Sequence, residues 1–270
     1  MNAFVQERLP AMSASGMDEK VMVGILIVED NPLLRESLYG SLRARFPYAR
    51  LAKANGVQEA LAKVDAVGPL VIFIDVRLPD GNGLELTRRL RAAGSDALIV
   101  IFTSHDLPEY REEALRSGAE HFLVKGMASM SDIVAIVESA LAARFRALVV
   151  AEDPSFRDRM RVFMSRTWPD AVLVGAPDWW EALETALTLR PHLVVLHSRA
   201  SAERERAFCN AMHAHCAGFA MSVVSIRRSA VGSARDCSAD YCLDEEAESG
   251  EEMARIVNLL RNSRAGELKR

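Results

Sequence analysis

The chain has 270 residues, of which 50% are apolar and 26% charged, and a formal net charge of −4. That length and apolar share suit two ordinary globular domains, each burying its own core. Lys and Arg are scattered instead of gathered into blocks, which argues against nucleic acid as a partner, and no run approaches the ~20 apolar residues that cross a bilayer.

Residues 1–20 have mixed polarity, with Gln6, Glu7 and Arg8 interrupting any apolar stretch a secretion signal would need, and they read as a disordered tail. Beyond them, short apolar strands alternate with amphipathic helical stretches, the βαβ pattern of a parallel sheet covered on both faces. The strands expected in the first half are Ile25–Val28, Arg50–Ala54, Val71–Ile74, Leu98–Phe102 and His121–Val124. The first helix starts with Asn31 as cap and Pro32 at its first position, where a missing N–H costs nothing. The last carries Ile133, Ile136, Val137, Ala140 and Leu141 on one face.

In the second half the expected strands are Ala147–Ala151, Val172–Gly175, Leu193–Leu196, Met221–Ile226 and Tyr241–Leu243, before a helix with Met253, Ile256, Val257 and Leu260 on one face. The halves form a repeat at a spacing of about 122 residues. Ile25–Pro32 answers to Leu148–Pro154 with one residue missing in the second copy, Pro47 matches Pro169, Glu59-Ala60-Leu61 matches Glu181-Ala182-Leu183, and Pro69 matches Pro191. The resulting expectation is two domains, 21–144 and 145–264, with residues 265–270 as a tail. No Pro- or Gly-rich spacer separates Arg144 from Ala147, so the two should lie close together.

In an open parallel sheet, ligands sit at the carboxyl ends of the strands. Glu29 and Asp30 follow the first strand, Asp75 the third, Thr103 the fourth and Lys125 the fifth. Clustered carboxylates repel one another, and a hard divalent cation with oxygen ligands, most naturally Mg²⁺, relieves that repulsion. Phosphoryl transfer needs in-line positioning and charge stabilisation, which Mg²⁺, the Lys125 ammonium and the Thr103 hydroxyl can provide around Asp75. A lone Asp after a strand is usually a turn or cap residue, but five such positions in the right order favour the chemical reading.

The segments Val28-Glu29-Asp30-Asn31-Pro32, Asp75-Val76-Arg77-Leu78-Pro79-Asp80-Gly81, Thr103-Ser104 and Phe122-Leu123-Val124-Lys125-Gly126 resemble the motifs of the response-regulator receiver family. The resemblance covers the first half completely. It implies a flavodoxin-like (βα)5 doubly wound fold, an α/β class in which the parallel five-stranded sheet has the order 2-1-3-4-5, here as two tandem domains. It further implies that Asp75 is the phosphoacceptor and that Asp30, Asp75 and the Arg77 carbonyl hold Mg²⁺ or Mn²⁺, with Glu29 acting through a water on the metal. Lys125 would contact the phosphoryl group, and Thr103 and Phe122 would form the switch pair. Gly126 stands where many receivers have proline, so a cis peptide there is not assumed. Lys-Gly is nonetheless similar to receivers that precede helix-turn-helix output domains.

Aligned through the repeat, His197 takes the place of Asp75 and Glu245 that of Lys125, while Glu152 and Asp153 keep acids beside them. Imidazole cannot form the acyl phosphate, and Glu245 adds repulsion where a cation should stand. The second half is therefore expected to be a degenerate receiver. His197 reads as a hydrogen-bonded leftover in preference to a metal ligand or pH switch. Cys209, His213, His215 and Cys216 raise the question of zinc, but their spacing fits no common framework and packing is the preferred reading. Of Trp179 and Trp180, one ring should turn outward on a helix, and the preferred role is to cover the edge of its own core.

The function expected on these grounds is two-component phosphorelay signalling. A sensor histidine kinase or phosphotransfer protein would phosphorylate Asp75, and output would pass by protein contacts to an unknown downstream protein. No DNA-binding output domain and no direct contact with nucleic acid are expected, since too few residues follow Leu260 for a helix-turn-helix. The alternatives are a phosphate sink for a kinase and a transcription regulator acting through a partner; a second copy of the chain is a candidate partner. No enzyme activity is expected beyond Mg²⁺-dependent self-phosphorylation and autodephosphorylation. The four cysteines lack the dense spacing of a secreted disulfide scaffold, which makes the cytoplasm the expected location, with no membrane partner.

Overall fold

The computed structural model describes residues 23–168, 171–227, 239–244, 255–256 and 258. The first unit runs β1 (Gly24–Val28), α1 (Pro32–Arg45), β2 (Arg50–Ala54), α2 (Val57–Val67), β3 (Pro69–Ile74), β4 (Arg77–Leu78), β5 (Gly81–Asn82), α3 (Gly83–Ala92), β6 (Leu98–Thr103), α4 (Pro108–Arg116), β7 (His121–Val124) and α5 (Met130–Ala142). Its main sheet is five-stranded and parallel, in the order β2-β1-β3-β6-β7. This is the flavodoxin-like order expected, once the small antiparallel hairpin β4-β5, which the strand pattern does not announce, is counted.

Alternation along each strand divides the core between two helix layers. Ile25 and Ile27 of β1 face one way with Val71, Phe73 and Val100, against Leu38 and Leu42 of α1 and Val137 and Leu141 of α5. Leu26 and Val28 face the other way with Ile72, Ile74, Ile99 and Ile101, against Leu84, Leu86 and Leu90 of α3. The central strands are therefore apolar along nearly their whole length, β6 ending on Thr103, as burial on both faces demands.

Helix starts are fixed by their local chemistry. Asn31 Oδ1 accepts from the Leu33 and Leu34 N–H groups, and Pro32 sits at the first position of α1. Ser129 and Asp132 form a reciprocal capping box on α5. The N-cap of α2 is Gly56, which has no side chain to cap with. Asp80, from the turn of the β4-β5 hairpin, does the work instead: Val57 N–H donates to its Oδ1 at 2.7 Å and Gln58 N–H to its Oδ2 at 2.9 Å. A side chain at position 56 would collide with that carboxylate.

The second unit runs β8 (Arg146–Ala151), α6 (Pro154–Thr167), β9 (Val172–Ala176), α7 (Trp179–Leu189), β10 (Leu193–His197), α8 (Ala202–His215), β11 (Ser222–Arg227) and β12 (Tyr241–Asp244). Its sheet is also five-stranded and parallel, in the order β12-β11-β10-β8-β9. The N-terminal tail and most of the helix expected around Met253, Val257 and Leu260 lie outside the described residues; Ile256 is buried in the core. One apolar cluster runs through both units, joining Leu38, Phe46, Val137 and Leu141 to Leu148, Val174, Ala186 and Phe208. That continuity agrees with the close approach expected from the missing spacer.

Strand pairing corrects one detail of the repeat. Val28 pairs with Ile74 in the first sheet as Val150 pairs with Leu196 in the second, so the register runs on without a missing residue. Glu29 therefore corresponds to Ala151, Asp30 to Glu152, and Asn31 to Asp153, which caps α6 by accepting the Ser155 N–H at 2.9 Å. Matching the Glu-Asp pairs by identity shifts the alignment by one; backbone geometry, with both capping residues just ahead of a proline, sets it back.

Bonding to two backbone N–H groups, Gln58 first and then Val57, holds the Asp80 carboxyl below its ordinary range. A depressed carboxylate contributes stability above its unfolded value and loses it as pH falls through the folded one. Asp80→Ala should therefore lower the thermal midpoint by about 3 °C at neutral pH. Calorimetry across pH should find the gap between wild type and variant closing in acid.

Candidate functional site

The carboxyl ends of β1, β3, β6 and β7 bring the expected residues together. Glu29 and Asp30 follow β1, and Asp75 follows β3, anchored by its own N–H donating to the Val28 carbonyl at 2.9 Å. Ligand oxygens of Glu29, Asp30 and Asp75 all lie within 4.8 Å of one another. Among the described residues, this is the one group of three or more acidic, His or Cys side chains that converges so. The Lys125 Nζ reaches in from the end of β7 and lies 2.5 Å from Asp75 Oδ2 and 2.6 Å from Glu29 Oε2.

The environment sets the charge balance. Glu29 is 3% exposed, and burial pushes its carboxyl above the usual range, against the opposing pull of Lys125. One ammonium faces three carboxylates, so the site carries excess negative charge. Asp75 Oδ1 is buried and accepts no hydrogen bond from the protein. A buried carboxylate oxygen without a donor, beside two further hard oxygen ligands, fits a divalent cation such as Mg²⁺. Receiver domains in general bind Mg²⁺ at an acidic site of this kind.

The backbone around the site is built to a close tolerance. Gly83, the first residue of α3, packs so tightly that a Cβ there would lie 2.0 Å from the Asp75 carbonyl oxygen. Gly126, directly after Lys125, has φ +85°, a left-handed conformation that favours glycine and turns the chain away once the ammonium is placed. Among the described residues no peptide bond is cis. Arg35 donates to the Glu29 carbonyl at 2.6 Å and tethers the acidic loop to α1.

Thr103 is fully buried at the end of β6, its carbonyl accepting the Lys125 N–H at 2.8 Å. Phe122 of β7 is half-buried, and the Arg111 guanidinium from α4 lies over its ring, 4.7 Å from the centroid. Arg77 lies exposed in β4, two residues beyond Asp75. Sequence reasoning missed Arg35, Arg111, Gly83 and Asp80; the conjunction of Gly83 with the helix-opening Asn82 was the one local signal for any of them.

The second group of candidate residues is arranged differently. His197 ends β10 and is buried, its ring stacked on Phe156 with centroids 4.0 Å apart and planes at 9°. Glu152 is exposed, Asp153 is occupied as a helix cap, and Glu245 lies outside the described residues. In the pairing register Arg227 stands where Thr103 stands in the first sheet, and Cys242 where Phe122 stands. Cys209 and Cys216 are buried core residues, whereas His213 faces Asp240 at 3.5 Å and the His215 Nδ1 lies 2.8 Å from the Ala211 carbonyl. These four do not form a converging ligand set. Trp180 is 66% exposed and Trp179 stacks on Phe208, so one ring does turn outward.

Gly83→Ala should cost roughly 3 kcal/mol or more, because backbone cannot yield as a side chain can; chemical denaturation measures it. For Glu29 the sign is opposite to the usual acid. A carboxyl raised by burial favours the fold while protonated and loses that contribution as pH rises through its folded value. Glu29→Gln should thus raise the midpoint near neutrality, and the gain should vanish in acid, as melts across pH would record.

Residues 25–138 match the response regulator receiver domain family. The chain is 33% identical over 146 residues to the DNA-binding transcriptional activator DevR/DosR of Mycobacterium tuberculosis, covering 49% of this chain and 67% of that protein. It is 33% identical over 147 residues to the transcriptional regulatory protein TrcR of the same organism, covering 52% of this chain and 56% of that one. It also resembles a two-component response regulator from Clostridium difficile, at 25% identity, with a TM-score of 0.42, over 44% of this chain and 96% of that structure. The match thus spans between about half and two thirds of the curated relatives' length. These relatives overturn the expectation of output by protein contacts alone, with no DNA-binding output and no direct nucleic-acid partner, because one is a DNA-binding activator and the other a transcriptional regulator. That expectation rested on the scattering of Lys and Arg along the chain and on the few residues after Leu260, whereas DNA contact depends on where cations gather in the folded protein. Among the described residues, no helix is long and apolar enough to cross a membrane. The chain belongs to the response regulators of two-component systems, with its receiver domain at residues 25–138.

Proposed function

We propose that the chain is a phosphorylation-controlled transcriptional regulator that takes its phosphoryl group on Asp75 from a sensor histidine kinase or phosphotransfer protein. The observation that carries this reading is the Lys125 ammonium, held against the Asp75 and Glu29 carboxylates inside the receiver domain. An Asp75 carboxylate oxygen attacks phosphorus while the P–N bond of the donor imidazole breaks, leaving an acyl phosphate. Lys125 then neutralises the phosphoryl oxygens. Glu29, Asp30, Asp75 and the Arg77 carbonyl would hold Mg²⁺, which offsets charge on the phosphoryl group when bound. Thr103 moves its hydroxyl toward the phosphoryl oxygens, and Phe122 turns inward, releasing the Arg111 contact over its ring.

The regulated output is transcription, with promoter DNA as the downstream target; the naming of DevR/DosR as a DNA-binding activator supports it. The second unit, 145–264, is a degenerate receiver. Ala151, His197 and Arg227, in the places of Glu29, Asp75 and Thr103, support that reading, since none can supply the lost chemistry. Beyond its own phosphorylation and dephosphorylation the chain catalyses nothing, and it works in the cytoplasm beside its kinase.

With acetyl phosphate and Mg²⁺, intact-mass analysis should find one phosphoryl adduct on wild type, none on Asp75→Asn, and one on His197→Ala. Lys125→Ala should slow adduct formation by about 100-fold. Promoter occupancy, measured by chromatin cross-linking, should fall in Asp75→Asn cells; equal occupancy in both strains would sink the transcriptional reading, and an adduct surviving in Asp75→Asn would sink the assignment of the acceptor.

A further inference from the structure

The second sheet carries a cavity of about 420 Å³ at the carboxyl ends of β8 and β10. Its size lies within the usual range for small-molecule sites, and it opens on the edge where parallel sheets bind ligands. Its origin is visible in the strand register. The first sheet fills this edge with Glu29 and Asp75; the second has Ala151 and His197, which pair directly across β8 and β10. Exchanging a glutamate for an alanine empties volume, and exchanging the aspartate for an imidazole removes the negative floor.

The walls are held in place. His197 lies flat on Phe156, and Trp179 is stacked on Phe208 with centroids 5.2 Å apart. Glu205 of α8, 2% exposed, accepts from Arg227 Nε at 2.9 Å and Nη2 at 2.7 Å, tying α8 to the end of β11. Phe156 and Phe208 thus back two of the residues that line the cavity, His197 and Trp179.

Its charges are divided. Glu152 and Asp153 enter from the loop after β8, and Arg199 enters from the loop after β10, with the Trp179 indole also in the lining. A simple anion meets two carboxylates here, and a simple cation meets a guanidinium. We infer that this cavity binds a small zwitterion of the amino-acid class bearing a flat side chain. Its ammonium lies toward Glu152, with Asp153, whose Oδ1 is engaged as the α6 cap, adding negative charge beside it, its carboxylate on Arg199, and its flat group against Trp179. This site goes beyond the phosphoryl chemistry of the receiver and does not depend on it.

Isothermal titration of the full chain tests the assignment, with L-tryptophan, L-histidine and L-arginine as probes, and tryptamine and indole-3-propionate as analogues of the first that each lack one charge. At least one amino acid should bind, and the two analogues should bind about 10-fold or more weaker than L-tryptophan. Arg199→Gln should weaken L-tryptophan by a similar factor while leaving tryptamine unchanged. Glu152→Gln should weaken L-tryptophan and leave indole-3-propionate unchanged. Arg199 and Glu152 are exposed, so both variants should fold and still take the Asp75 adduct, which keeps this result separate from the receiver reading. Absence of binding by all three amino acids at millimolar concentration, or an L-tryptophan affinity indifferent to both substitutions, would overturn the proposal.

Discussion

The contact of one ammonium with two carboxylates, Lys125 with Asp75 and Glu29, is the constraint around which the receiver is organised. Taking these charges out of water is expensive, and their mutual attraction repays the cost only if geometry is held closely. Each element of the first sheet contributes to that holding. β1 and β3 bring the acids side by side, and the pairing of β7 with β6 delivers the lysine across from them. Without β7 docked, the acids would face one another with no cation from the protein between them. A pocket so charged gains the fold little stability, and a functional demand explains why it is kept.

The second parallel sheet carries a different set of side chains at its strand ends. Ala151 and the stacked imidazole of His197 stand at the ends of β8 and β10, Glu152, Asp153 and Arg199 lie on the loops beyond, and a buried carboxylate appears in the Glu205–Arg227 pair. Parallel strand order alone therefore fixes where a ligand site can be and leaves open what it does. Chemistry resides in the few residues just past each strand.

The sequence made much of this readable because the informative residues sit at the boundaries of apolar runs. Ile25–Val28, Val71–Ile74 and Leu98–Phe102 are unbroken apolar stretches, so their ends, and the polar residues beyond them, can be located from hydropathy alone. What was hidden acts across distance. Asp80 caps a helix more than twenty residues earlier in the chain, and Arg111 covers a ring on the neighbouring strand; no local pattern encodes either. The slip of one residue at Glu152 and Asp153 arose because identity was matched where backbone register decides. The expectation about output failed for a different physical reason: the spacing of Lys and Arg along the sequence does not tell where cations gather once the chain folds, and contact with a polyanion is local.

The apolar cluster that runs from α1 and α5 of the first unit into β8, α7 and α8 of the second has a thermodynamic consequence. Two modules joined by a polar linker melt separately, each with its own stability. Here Leu141 and Leu148, within a few residues of each other in the chain, belong to one buried continuum, so opening either unit exposes apolar surface of the other. The cooperative unit is larger than the receiver. Slow amide exchange should therefore be shared across both sheets, and perturbation of one will be felt as a change in the opening free energy of its neighbour.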